Sequence, residues 1–234
     1  MQTPRSSRRS PLALIPSLID SGSDDPTIES GIPDIVIRRL PLYGRALRGL
    51  MERSTSVSSD ELADAVGVSG AQIRRDLSYF GRFGKQGKGY DAEQLIAEIN
   101  RILRLDQDWH VALVGYGNLG RAIAQHGGFV PSTFRIMAIF DHNEERIGTT
   151  WGDLVIRNDT QITRVVADLV IRIGIIAVPQ QSAQSVADAL IAGGVEAIVN
   201  YAPIHLRVPD SVTVRDIDPV GAMQSMTYYL SRSD

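Results

Sequence analysis

The spacing of apolar positions changes along the chain, and the changes mark out its parts. Ile35, Val36, Leu40, Leu47, Leu50 and Met51 fall roughly on one face of a helix opened by Pro33-Asp34 and bent or interrupted at Pro41. Two shorter helical patterns follow. The first is capped by Ser58 or Ser59, carries Leu62, Ala65 and Val66 on its apolar face and stops at Gly67. The second opens at Ser69, whose spacing from Gln72 predicts a capping box, and turns Ile73, Leu77 and Phe80 toward a core. Glycines at 81, 84, 87 and 89 predict a hairpin with Lys85, Gln86 and Lys88 at its tip. A further helix is expected from Tyr90-Asp91 to Leu105.

Beyond Trp109 the pattern becomes short aliphatic runs alternating with helical ones. Strands are expected at 111–114, 134–140, 168–178, 197–200 and 212–214, with a shorter one within 151–156. Helices are expected from Asn118 onward and at 160–167, 180–193 and 220–230. Such alternation predicts a parallel sheet covered on both faces. The fold class is therefore α/β. A winged helix-turn-helix domain (33–90) and a linking helix (91–106) precede a Rossmann-like parallel-sheet domain (107–218) and a C-terminal helix (219–234). Residues 1–32 are rich in Ser, Pro, Asp and Arg without periodicity, and a disordered tail is expected. The last helix is nearly apolar along its length (Met223, Met226, Tyr229, Leu230); it packs on its own core or inserts as an arm into a second subunit.

Composition narrows the class. Of 234 residues, 43% are apolar and 22% charged, as in soluble globular proteins, and no apolar run approaches a membrane span. The absence of cysteine excludes disulfides, thiol catalysis and thiolate metal sites, and no metal is expected. Pro16 interrupts the apolar stretch Leu12 to Ile19, which argues against a signal peptide; a cytoplasmic protein is expected. The net charge of −3 is unevenly placed: residues 33–90 carry +4, residues 91–234 carry −6. A small basic segment joined to an acidic one suggests a part that faces an anionic polymer. Lys85 and Lys88 are the only lysines in the chain.

Two stretches carry the chemistry. Gly115, Gly117 and Gly120 follow a strand and open a helix with the spacing G-x-G-x-x-G, and Asp141 ends the next strand. The first glycine permits the tight turn, the second lets a pyrophosphate approach the backbone, and the third lets helix and strand pack closely. The helix N-terminus favours phosphate. Asp141 is placed to accept hydrogen bonds from an adenosine ribose, and His142 and Asn143 offer no cation for a 2′-phosphate, so NAD(H) is expected rather than NADP(H). NADH and NAD+ differ at the nicotinamide, where Val178-Pro179, Tyr201-Ala202-Pro203 and Asp218-Pro219, after successive strands, are candidates for telling them apart. In the N-terminal part, Gln72, Arg74, Arg75, Ser78 and Tyr79 are left for the outer surface of a helix able to enter a major groove. Lys85 and Lys88 suit phosphate or a minor groove.

Both halves together resemble one family, Rex, the NADH-responsive transcriptional repressors. The resemblance is carried by Val68-Ser69, the string from Gln72 to Gly81, Gly84, Gly87, Gly89-Tyr90, the segment Gly115-Tyr116-Gly117-Asn118-Leu119-Gly120, Phe140-Asp141, Val178-Pro179 and Asn200-Tyr201-Ala202-Pro203, and it spans about residues 33 to 231. The resemblance implies a homodimer with exchanged C-terminal helices that binds palindromic operators in double-stranded DNA. It implies release by NADH, with NAD+ competing without releasing. It also implies a state-dependent contact between domains and subunits at the positions of Arg39, His126 and Asp218. His126 departs from the family's Tyr, and an imidazole there would make the contact pH-sensitive.

A rival reading is an NAD-dependent oxidoreductase with a helical accessory domain. The Tyr–Lys pair many such enzymes use is absent from the nucleotide half, and His205 is the one histidine placed to act as a base. A non-enzymatic protein is expected. A third reading, a scaffold that docks protein rather than DNA, uses the same basic face.

Overall fold

The computed structural model describes residues 31–84, 88–125 and 133–230. Its chain divides into two compact units, one up to Ile99 and the other from Asn100. Lys85, Gln86, Gly87, His126 and the tail up to residue 30, for which the sequence raises expectations, lie outside the described residues.

The first unit packs three helices, most of a fourth and a two-stranded sheet. Helix α1 (Asp34–Met51) buries Val36, Leu40, Tyr43 and Leu47. It runs through Pro41 without a break: that ring lies on the exposed side, so the lost N–H costs one bond and the neighbouring turns hold. Ile35, expected in the core, is 48% exposed, whereas Tyr43, not expected there, is fully buried. Strand β1 (Ser56–Val57) leads into α2 (Ser59–Val66), where Ser58 and Glu61 form a complete capping box. Ala63 rather than Ala65 faces the core, and Gly67 ends the helix in the left-handed conformation at φ +74°. Helix α3 (Gly70–Ser78) buries Ile73 and Leu77.

The expected hairpin takes a different form among the described residues. Strand β2 (Tyr90–Asp91), expected as the start of a helix, pairs antiparallel with β1 instead. The glycines still do structural work: a Cβ on Gly84 would lie 2.5 Å from the Gly89 carbonyl oxygen, so only a glycine fits there. Helix α4 (Ala92–Ile102) follows and buries Ala92, Leu95 and Ile99.

The second unit is built on a sheet of order β5-β6-β4-β3-β7-β8-β9. Its strands are β3 (Trp109–Val114), β4 (Phe134–Asp141), β5 (Thr150–Trp151), β6 (Leu154–Asn158), β7 (Ile173–Ile176), β8 (Ala197–Asn200) and β9 (Thr213–Asp216). All neighbours are parallel except β5 and β6. Leaving out the short β5, the order is that of a doubly wound Rossmann sheet, with the direction of winding reversing between β3 and β7. Strand β3 is buried on both faces. Ala112 and Val114 pack with α6 (Ile162–Asp168) and α7 (Gln180–Ala192), while Val111 and Leu113 pack with Ile123 of α5 (Asn118–Gln125). The strand expected at 168–178 is only four residues long, because Asp168 closes α6 and Val170 turns the chain at φ +51°. Helix α8 (Pro219–Leu230) ends the described chain and buries no residue.

Candidate functional site

Recognition-helix candidates come first in the chain. Ser69 caps α3, its hydroxyl accepting the Gln72 N–H at 3.1 Å. The box is not completed by the Gln72 side chain, which donates instead to Asp76 Oδ1 at 2.6 Å. Asp76 is fully buried. Arg39 donates to its two oxygens from Nε at 2.6 Å and Nη2 at 2.8 Å, and the Tyr43 hydroxyl donates to Oδ2 at 2.5 Å. Burial pushes the Asp76 carboxyl up, but these three donors outweigh it and hold it below the usual carboxylate value. The same burial, with the carboxylate beside it, pushes the Tyr43 hydroxyl well above its ordinary value. α3 is thus fastened to α1 through a charged, satisfied network. Neither Tyr43 nor Asp76 stood out as a candidate in the sequence.

That fastening sorts the expected DNA contacts. Arg74 is drawn back onto the start of α2, donating to Ser59 Oγ at 2.5 Å and lying 3.8 Å from Asp60. Arg75, Ser78 and Tyr79 are exposed on the outer surface of α3. Beside them a cleft of about 870 Å³ runs toward the glycine loop, with Ser58, Ser59 and Arg82 on its walls. Hydroxyls and guanidinium groups on an open wall suit phosphate oxygens. Lys88, at the edge of the loop, is exposed, and its carbonyl accepts the Ser56 hydroxyl at 2.8 Å.

In the second unit the loop after β3 sits where the winding reverses. Gly115 has φ +94°, and a Cβ there would overlap the Ala177 carbonyl oxygen at the end of β7. On Gly120 a Cβ would overlap the Gly115 carbonyl oxygen. Gly117 is different: the nearest atom to its missing Cβ is Arg146 Nη1, 4.0 Å away. Two glycines close the turn and the middle one leaves a hollow at the N-terminus of α5, which is the form a pyrophosphate requires. Asn118 and Leu119, at the rim, are exposed, and Arg121 holds the Asn118 side chain at 2.8 Å.

Asp141 closes the hollow from the β4 side and is 1% exposed. Its Oδ2 accepts the Tyr116 N–H at 2.7 Å and Arg146 Nη1 at 3.1 Å, and its Oδ1 accepts the Asn143 N–H at 2.8 Å. Burial raises this carboxyl, and these bonds more than reverse that, leaving it below its ordinary value. Asp141 therefore anchors the glycine loop. His142 and Asn143 supply no Arg or Lys, as the sequence shows, but Arg146, outside those two positions, is brought back to Asp141 by a turn.

The other cofactor candidates gather at the ends of β7 and β8. Val178 is half-buried, and Pro179 opens α7. Asn200 is fully buried; its amide donates to the carbonyls of Ala202 and Ile204 and to Asp216 Oδ1, and its oxygen accepts the Ala202 N–H. It shapes the loop that presents Tyr201 rather than reaching outward itself. Burial raises the Tyr201 hydroxyl. Asp218 caps α8, accepting the Gly221 N–H at 2.9 Å. Among the described residues no group of three or more His, Asp or Glu could hold a metal ion, and no helix is long and apolar enough to cross a membrane.

Residues 31–78 match the family model described as a putative DNA-binding protein N-terminus, and residues 106–204 match the CoA binding domain model. The chain is 56% identical over 201 residues to the redox-sensing transcriptional repressor Rex of Chloroflexus aggregans, covering 86% of this chain and 95% of that one. It is 44% identical over 207 residues to the protein of the same name from Streptomyces griseus, covering 88% and 82%. Among solved structures it is similar to RSP in complex with β-NAD+ and operator DNA, with TM-score 0.79, 38% identity and coverage of 84% and 91%. RSP in complex with β-NADH aligns with TM-score 0.77 and 36% identity, covering 86% and 94%.

Proposed function

The chain belongs to the Rex family of redox-sensing transcriptional repressors, and from that premise we propose that it binds palindromic operator DNA as a homodimer and leaves it when NADH fills the Rossmann-like unit. The observation that carries the reading is the likeness, across most of the chain, to a Rex-family repressor solved with NAD+ and operator DNA and also with NADH. The relatives are named repressors, not enzymes, which speaks against the oxidoreductase alternative.

Arg75, Ser78 and Tyr79 supply the base-reading surface in this proposal, with Ser69, Arg74, Lys85 and Lys88 on phosphate. Gln72 serves the same surface from behind, by holding Asp76. Gly117 would hold the pyrophosphate of the dinucleotide and Asp141 its adenosine ribose, in a cytoplasmic protein that needs no metal. When bound, the cofactor supplies a nicotinamide ring whose charge and planarity change on reduction. Val178, Pro179, Tyr201 and Ala202 stand at the strand ends where that ring would lie, and NADH acts by binding one dimer state better than the other.

The homodimer rests on α8. Val220, Met223 and Met226 are each 55% exposed and Leu230 is 74% exposed, too much apolar surface for a helix with no cover. Arg39 and Asp218 are proposed as switch residues with His126. Arg39 grips the recognition helix through Asp76, and Asp218 caps α8, so each is attached to an element whose placement matters to operator binding.

Anisotropy of a labelled palindromic duplex tests this. The protein should bind, NADH should release it, and NAD+ should not. Binding indifferent to NADH would refute the coupling, and absence of specific binding would refute the repressor reading.

A further inference from the structure

We infer that Arg146 is a cofactor-binding residue that lays its guanidinium on a phosphate of the dinucleotide. The inference rests on the reading of the second unit as a dinucleotide site, and it adds a residue that the glycine motif and the terminal acid do not contain.

The geometry begins with a turn. The Asn143 carbonyl accepts the N–H groups of Arg146 at 2.9 Å and Ile147 at 3.1 Å, and the Asn143 side chain accepts the Glu145 N–H at 2.9 Å. This folds the chain back immediately after β4 and returns Arg146 to the strand end. Its Nη1 then shares Asp141 Oδ2 with the Tyr116 N–H, so the guanidinium and the glycine loop are bound to one oxygen atom. The same Nη1 is the nearest group to the hollow over Gly117. A phosphate entering that hollow meets the N-terminus of α5 on one side and Arg146 on the other.

Chemistry favours the contact. A guanidinium carries five donors in a flat fork that matches phosphate oxygens, and the bond to Asp141 uses Nη1. The Arg146 side chain is 37% exposed where its carboxylate partner is 1% exposed, so it can turn toward a ligand while Asp141 stays fixed. The pair also alters the charge seen by a ligand. A lone carboxylate at this strand end repels any phosphate, whereas a carboxylate paired to a guanidinium does not.

Two phosphates are within the chemistry: the pyrophosphate that every NAD(P) form carries and the 2′-phosphate of NADP(H) alone. Titration of the full-length protein with NADH, NADPH and ADP-ribose separates them. Wild type, Arg146→Ala, Arg146→Gln and Arg146→Lys are compared, with thermal unfolding of each cofactor-free protein alongside. For a pyrophosphate contact, Arg146→Ala weakens all three ligands by roughly tenfold or more, and Arg146→Lys recovers part of the loss. For a 2′-phosphate contact, the loss is confined to NADPH. Should Arg146→Ala also lower the melting temperature, Arg146→Gln, which can still donate to Asp141 without a charge, decides between ligand binding and loop support. Unchanged or tighter binding of all three ligands by a folded Arg146→Gln or Arg146→Ala overturns the inference and leaves Arg146 as a brace for Asp141. If wild type binds none of the three, the dinucleotide reading itself falls and the inference with it.

Discussion

Asp76 has no exposed surface and remains charged, because four hydrogen bonds are arranged around its two oxygens. Removing one side of such a pair leaves the other uncompensated, so Asp76→Asn should cost on the order of 3 kcal/mol and weaken operator binding while leaving NADH binding intact. The sign of its pH dependence follows from a lowered folded-state value: the stabilisation is present above the ordinary value near 3.8 and is lost as the pH falls through the lower folded value. Unfolding midpoints of wild type should therefore drop more steeply below that range than those of Asp76→Asn. Gln72→Ala should weaken all operators evenly and Arg75→Ala should relax the preference at particular base pairs, which a panel of substituted duplexes would read out. Legibility in the sequence follows the same physics. Gly115, Gly117, Gly120 and Asp141 are spaced by local backbone needs and could be found by eye. Tyr43, Asp76 and Arg146 act only after helices pack or a turn folds back, and nothing in their spacing announces it.

Elements were legible to the extent that their cause is local. The apolar runs of β3, β4 and β8 and the caps of α2 and α3 lie where the pattern puts them. Pro41 shows the limit: whether a proline breaks a helix depends on which side faces the core, and that is set by α1 as a packed whole. The pairing of β2 with β1 is likewise a contact between segments 33 or more residues apart, beyond the reach of a glycine count. Helix α8 was legible as apolar, and it buries none of its own residues. Replacing both Met223 and Met226 by Glu should convert dimers to monomers in sedimentation, lower the melting temperature by what dimerisation adds, and weaken operator binding at least tenfold as the half-sites lose their linkage. A variant that remains dimeric would count against the arm.

At the scale of the molecule, one chain holds a reading surface and a nucleotide hollow, and the two can be disabled separately. Gly117 has room for a side chain, while Gly120 has none. Gly117→Val should fold, keep its operator affinity and no longer be released by NADH; Gly120→Val should lose the nucleotide unit itself. Operator affinity of the wild type should fall steeply with salt, as expected where Arg and Lys displace counterions from phosphate, and titrations at several salt concentrations give the number of contacts.

The way the sheet ends has a further bearing. Strand β9 stops at Asp216 and α8 starts at Pro219, so Ile217 and Asp218 are the whole tether. The first of these is still held, its N–H donating to the Asn200 carbonyl at 2.8 Å. In the proposed switch so short a tether would act as a rigid linkage, with the sheet edge as crank and the helix as rod. Lengthening it by a few glycines would act as a clutch: the chain would still grip its operator and still take up NADH, but neither event would report to the other.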